Sequence, residues 1–287
     1  MTLEPDSAAE LALKAHRTLE PLHAIAYFAP EPTERYAELG LRGQMRSYFP
    51  SRAAPLGRAS RELVVATFFN FSPALVAKAI PSAWEVTTPE ALIEARYVGT
   101  EAAYQRILGD AVLKSDEMAE AAALAREATT VLDPVGRPLF ASYQALPWPE
   151  PIHLQLFHAQ TLLREHRGDG HIAALLTAGE DALDALIGYC AHGIGASEAM
   201  IRATRGWTDE EWAGGIERAR ARGLITADEK LTLTPAGLAE RDLIEAQTNA
   251  RAAAPYAHLG EGRTNRLRDL ARPWSKAISD ELFGGGR

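Results

Sequence analysis

Residues 197–246, SEAMIRATRGWTDEEWAGGIERARARGLITADEKLTLTPAGLAERDLIEA, decide how this chain is read. SEAMIRATR reads as a helix stopped by Gly206, because glycine takes the left-handed C-cap conformation without penalty. Thr208 caps a second helix that runs through EEWAGGIERARARGLI. TADEKLTLTP then reads as a short hairpin and the remainder as a long helix. Helix, turn, helix, two short strands and helix is the order of a winged helix.

Outward from that segment the rhythm changes. Residues 8–28 read as a helix that leads into HAIAYFAPE, and LRGQMRSYFPSRAAPLG (41–57) reads as an ordered loop dotted with Pro and Gly. Residues 60–80 and 88–108 read as helical, with Ser72-Pro73 and Thr88-Pro89 as start signals. Residues 116–130 and 180–192 are further helices, DPVGRP (133–138) is a turn and LPWPEP (146–151) a stiff connector. Strand-like alternation is scarce. The expectation is a mostly α protein: an all-helical domain over 1–192, then a winged-helix domain over 193–287 whose residues from 252 onward pack back on the body.

The 287 residues are 47% apolar and 24% charged, an ordinary globular balance. No run of 18 apolar residues is present, and the first twenty residues lack a signal peptide's apolar centre, so no membrane partner and a cytoplasmic location are expected. The only cysteine, Cys190, excludes an internal disulfide and any multi-cysteine metal site. The net charge of −8 lies wholly in residues 1–195, which hold 16 bases and 24 acids; residues 196–287 hold 14 of each. Neither part has a nucleic-acid binder's basic excess.

The pairing of ARGLI with LTLTPAGLAERDL resembles the wing of regulators of the multiple-antibiotic-resistance (MarR-like) type, over roughly residues 196–250. Together with HAIAYFAPE, YFPSRAAPLG, FFNFSPALV and LREHRGDGHIAAL, it makes the whole chain resemble an actinobacterial helix-turn-helix family of about 290 residues. That resemblance implies the two-part architecture. It brings no reaction and no catalytic residues.

The chemistry is therefore sought in the side chains. HLQLFHAQTLLREHRGDGH (153–171) holds half of the eight histidines. On a helix His158, Glu165 and Asp169 fall within about 40° of one another, and His153, Gln160, Arg164 and His171 cluster on the far side. Two titratable stripes cannot both be buried without partners, so one should face a cavity or interface. Gly168-Asp169-Gly170 predicts a helix break or close approach of backbone to a ligand. His158, His166 and His171 are candidates for acid–base work near neutral pH, with Asp169 or Glu165 orienting them. His23 and Tyr27 share a helix face. Arg52, Arg164 and Arg167 are candidate anion clamps. Asn70, in an aromatic setting with Tyr48, Phe49, Phe68 and Phe71, completes a candidate ligand pocket. Spacings of five, eight and five between the histidines fit no helical metal pair, so no cofactor is expected, although histidines leave haem or metal open.

The first turn of the second helix of the motif, Asp209-Glu210-Glu211, opposes a DNA duplex, and Arg218, Arg220 and Arg222 lie at its other end. Charge thus disfavours DNA and favours a dimerisation or pocket-closing role. The leading expectation is a homodimeric small-molecule binder with cofactor-free lyase, isomerase or hydrolase chemistry, since no dinucleotide, phosphate-loop or GxSxG motif is present. The alternative is a ligand-responsive winged-helix transcriptional regulator. A haem or metal protein is the third reading.

Overall fold

Side-chain caps set most of the helix starts. In the computed structural model, which describes residues 4–284, Ser60, Ser72, Thr88, Ser115, Ser197, Thr208 and Thr234 each accept the backbone N–H three residues on. Each satisfies a donor that the first helical turn leaves open. The helices are α1 (Pro5–Phe28), α2 (Pro30–Glu38), α3 (Gln44–Ala53), α4 (Arg61–Phe68), α5 (Pro73–Val76), α6 (Ala83–Val86), α7 (Pro89–Leu113) and α8 (Asp116–Thr129). They continue as α9 (Pro138–Gln144), α10 (Ile152–Thr177), α11 (Ala182–His192), α12 (Glu198–Arg205), α13 (Asp209–Ala221), α14 (Pro235–Arg251) and α15 (Ala254–Phe283). No helix is long and apolar enough to cross a membrane among the described residues.

The protein is mostly helical, and two cores organise it. The larger joins Leu19, Leu22 and Ile25 of α1 to Leu92 of α7, Phe157 of α10, and Leu267 and Ile278 of α15. The last helix therefore packs back onto the body, along α1 and α8. The smaller core gathers Ile187 of α11, Ile201 of α12, Trp212 and Ala219 of α13, and Ile225. A patch of Ala174, Leu175 and Ile244 joins α10 to α14 between them.

The helix-turn-helix segment forms as α12, a turn at Gly206 and α13. The hairpin is shorter than expected: no β-strand forms among the described residues, and Ile225 and Leu233 make a single antiparallel bridge. Thr226 N–H donates to Thr232 O at 2.9 Å. Arg220 donates to the carbonyls of Thr226 (3.4 Å) and Asp228 (3.0 Å), claiming acceptors that further rungs would need. The LTPAG motif has a clear geometry. Thr234 caps α14, while an added Cβ at Gly237 would lie 2.0 Å from the Leu224 carbonyl oxygen.

Two local expectations are corrected. Most of 41–57 is not loop: burial of Phe49, Ser51, Arg52 and Ala53 draws residues 44–53 into α3, since packing outweighs weak propensity. Within 60–80 the helix start read at Ser72–Pro73 forms, α4 ending before Phe69 and the short α5 beginning at Pro73. Gly168-Asp169-Gly170 causes no break, and α10 runs straight through it. Gly170 instead permits close approach, because a Cβ there would meet the Arg137 guanidinium at 2.6 Å.

Gly237→Ala should destabilise the protein by about 1–3 kcal/mol, because the new methyl meets backbone that cannot rotate away. Gly262→Ala, in α15 with nothing within 4 Å of its Cβ position, should be neutral or stabilising by up to about 1 kcal/mol. Urea unfolding of both variants measures the contrast.

Candidate functional site

Between the body and the helix-turn-helix unit lies an open cleft of ≈ 770 Å³. One wall comes from α1, α3, the 67–71 segment and α10; the other comes from α11, α12 and α14. At its base Glu165, with 1% of its side chain exposed, accepts two bonds from Arg52, Nε to Oε1 at 3.2 Å and Nη2 to Oε2 at 2.8 Å. Arg164 Nη1 adds a third at 2.9 Å. Burial opposes a charged carboxylate here. The Arg164 and Arg52 guanidiniums outweigh it and hold the Glu165 carboxyl well below the usual range.

Behind this pair the network continues into the body. His23 Nε2 lies 4.0 Å from Glu165 and 3.1 Å from the Tyr27 hydroxyl, and its Nδ1 lies 3.2 Å from Thr161 Oγ1. Arg96 donates to Tyr27 at 3.2 Å and lies over the rings of Tyr27, Tyr143 and Phe157. Desolvation, with Arg164 and Arg96 nearby, keeps the His23 imidazole neutral well below its ordinary pKa.

The sequence-derived candidates divide. Arg52, Asn70, Arg164, Arg167, Asp169 and His171 line the cleft. His23 and Tyr27 sit in the network behind it. His158 lies elsewhere, 2.6 Å from the Tyr97 hydroxyl and edge-on to Trp148. His166 packs edge-on against Phe140. The shared angle of His158 and Asp169 misled because it ignores rise: eleven residues at 1.5 Å each separate them by about 16 Å along α10.

The surroundings of these histidines disfavour their charged form. Desolvation pushes His158, His166 and His171 each down to about 4. Arg126 assists at His158, Arg137 at His166 and Arg167 at His171, where Glu245 opposes. His171 Nδ1 sits 2.9 Å from Thr248 Oγ1 and helps join α10 to α14. Asp169 is raised to about 6 by desolvation, and its Oδ2 accepts the Phe140 N–H at 2.9 Å in the first turn of α9. Among the described residues no three His, Cys, Asp or Glu gather to hold a metal ion.

The two walls meet at residues 68–72. Phe69 has φ 56° and ψ −62°, and Asn70 N–H donates to Phe68 O at 2.7 Å. This is the rare, strained form of γ-turn. From it three bonds reach the helix-turn-helix turn: Ser72 N–H to Arg205 O at 2.9 Å, Ser72 Oγ to Gly206 O at 2.7 Å, and Trp207 Nε1 to Asn70 O at 3.1 Å. Arg205 lies 4.7 Å over the Phe71 ring. Sequence reasoning missed Arg205, Tyr189, Arg241 and Glu245, the far wall of the cleft. An arginine ahead of a helix-ending glycine looks like dipole compensation, and no local signal marks Arg205 otherwise.

On α13 the charges are largely spent within the unit. Glu211 closes a capping box with Thr208, and Asp209 pairs with Arg202. Arg218 pairs with Asp181 and Asp184, Arg220 with Glu217, and Arg222 with Asp184 and Glu240.

A helix-turn-helix family model matches residues 12–284, nearly the whole chain, and the chain belongs to that family. No curated protein and no solved structure matches it.

Glu165→Gln keeps the shape but leaves the buried Arg52 guanidinium without a counter-charge, and should cost about 3–5 kcal/mol in urea unfolding. A second outcome concerns pH. The folded-state values of about 4 lie below the ordinary 6.5, so the unfolded chain binds protons first. Stability present above pH 6.5 should then fall as pH drops toward about 4. Imidazole resonances of His158 and His171 titrating near 7 would contradict this.

Proposed function

We propose that this helix-turn-helix protein is a ligand-responsive transcriptional regulator, working as a homodimer, with its effector in the cleft between the helical body and the motif. The observation that carries this reading is that α11, α12 and α14 form one wall of the cleft while the body forms the other. A ligand touching both walls binds one relative placement more tightly than another and shifts the population toward it. The strained 68–72 segment, bonded to the turn before α13, is the natural transmission point.

The order α12, α13, single bridge, α14 supports a winged-helix assignment with a minimal wing. The charge objection to DNA weakens once pairing is known, since two of the three first-turn carboxylates on α13 are engaged. Arg218, Arg220 and Arg222 sit in partly exposed ion pairs, with 47%, 31% and 32% of their side chains exposed. Such pairs are worth about 0–1 kcal/mol each, so exchanging carboxylate for phosphate costs little. Residues 41–80 also hold six bases against one acid in a chain of net charge −8, and this segment is bonded through Ser72 to the motif's turn. Exposed Met200, Leu238 and Leu243 offer apolar surface for a second copy.

An acid–base enzyme using the same cleft has one observation in its favour, the raised pKa of Asp169. That carboxylate already serves as a helix-start acceptor, and its neighbouring histidine is held neutral.

Footprinting of the protein on its own upstream region should show protected half-sites about one helical turn apart, and Arg218→Ala and Arg222→Ala should each weaken protection. The affinity should fall steeply with added salt. No sequence-specific protection at physiological salt would sink the regulator reading.

A further inference from the structure

We infer that the cleft takes an organic acid, with its carboxylate held by Arg205 of the helix-turn-helix unit and its apolar body against the Phe68, Phe71 and Tyr48 wall. This rests on the cleft being the effector site. Six arginines and five carboxylates line it, and they are unevenly matched. Arg52 and Arg164 share Glu165, while Arg167 and Arg241 share Glu245 at 3.3 and 3.7 Å. Arg205 has no carboxylate within 4 Å among the described residues.

The Arg205 guanidinium is spread over Phe71, its Nη1 donates only to Thr204 Oγ1 at 2.8 Å, and its Nε is buried without a partner. Desolvation works against its charge. A cation taken out of water without a counter-ion is costly, and a bound carboxylate, accepting two parallel N–H bonds, supplies what is missing. Asn70, on the opposite wall, also has its amide oxygen buried without a partner, a second polar contact for a ligand hydroxyl or N–H. None of the five carboxylates makes an ion pair with Arg205: Glu165 and Glu245 are committed to the other arginines, Glu20 lies 3.7 Å from Arg164, Asp169 accepts from α9, and Asp242 is exposed.

The Tyr48, Phe68 and Phe71 rings pack on one another, Tyr48 5.5 Å from Phe71 and 6.1 Å from Phe68 between centroids, and form the apolar part of the cleft lining. The cleft's volume falls in the range of small-molecule pockets, about 300–1,000 Å³. Because Arg205 ends α12 and its carbonyl is bonded to Ser72, seating an anion there acts directly on the turn that orients α13.

The test uses the full chain and calorimetry with benzoate, salicylate and 2-naphthoate, each against its neutral amide, at up to about 5 mM. The acids should bind and the amides should not. Arg205→Met, which keeps the stem over Phe71, should weaken acid binding about 10- to 100-fold while the melting temperature of the free protein stays level or rises. Arg205→Lys should retain part of the affinity. Binding of acid and amide alike, unaltered binding by Arg205→Met, or no binding by any acid overturns the inference. The two readings fail separately: a DNA footprint without acid binding defeats this one alone, and Arg205-dependent acid binding without a footprint defeats the regulator.

Discussion

An ionised carboxylate at Glu165, with 1% of its side chain exposed, costs several kcal/mol unless its oxygens are met by charged donors. Three guanidinium N–H groups meet them, and that requirement fixes much else. Arg52 can reach Glu165 only if α3 lies against α10. Its backbone carbonyl is then close enough to accept from the Tyr143 hydroxyl at 3.1 Å, which brings α9 in. Its guanidinium also lies 4.6 Å over Phe68, at the end of α4. One charge pair therefore fastens four helices and sets the floor of the cleft.

Above that floor the two cores are joined through α14. The smaller core is wired internally by Trp212 and by arginine–carboxylate pairs on α11, α13 and α14. Its attachment runs through α14, which packs on α10 and α1 and is bonded to α10 by the His171–Thr248 and Arg167–Asn249 contacts, and through the three hydrogen bonds at Ser72 and Trp207. The cleft lies at that junction.

Much of the fold was legible because its signals are local. Caps such as Ser72, Thr88 and Thr208, and the glycine stop at Gly206, act within four residues of themselves. The misread parts depend on distant partners. Nothing inside LRGQMRSYFPSRAAPLG says that Arg52 will find a carboxylate 113 residues on, and without that contact a stretch with prolines reads as loop. Arg52, Asn70, Arg164 and Arg167 were legible as candidates because guanidiniums and amides set among aromatics need partners. The far wall, with Arg205, was not, since only the folded chain places it opposite Phe71. The number of histidines was visible, but not the burial that lowers their pKa.

The pairing of α15 with α1 has a consequence for the order of events during synthesis. The body's core includes Leu267, Leu270 and Ile278, so it cannot close until α15 has left the ribosome. The helix-turn-helix unit lies N-terminal to α15, and chains fold what they can as they emerge. The unit that carries the motif thus matures first, tethered to an unfinished body by α10 on one side and by the nascent end of α14 on the other. The order of translation thus places the motif wall of the cleft ahead of the body core that α15 completes.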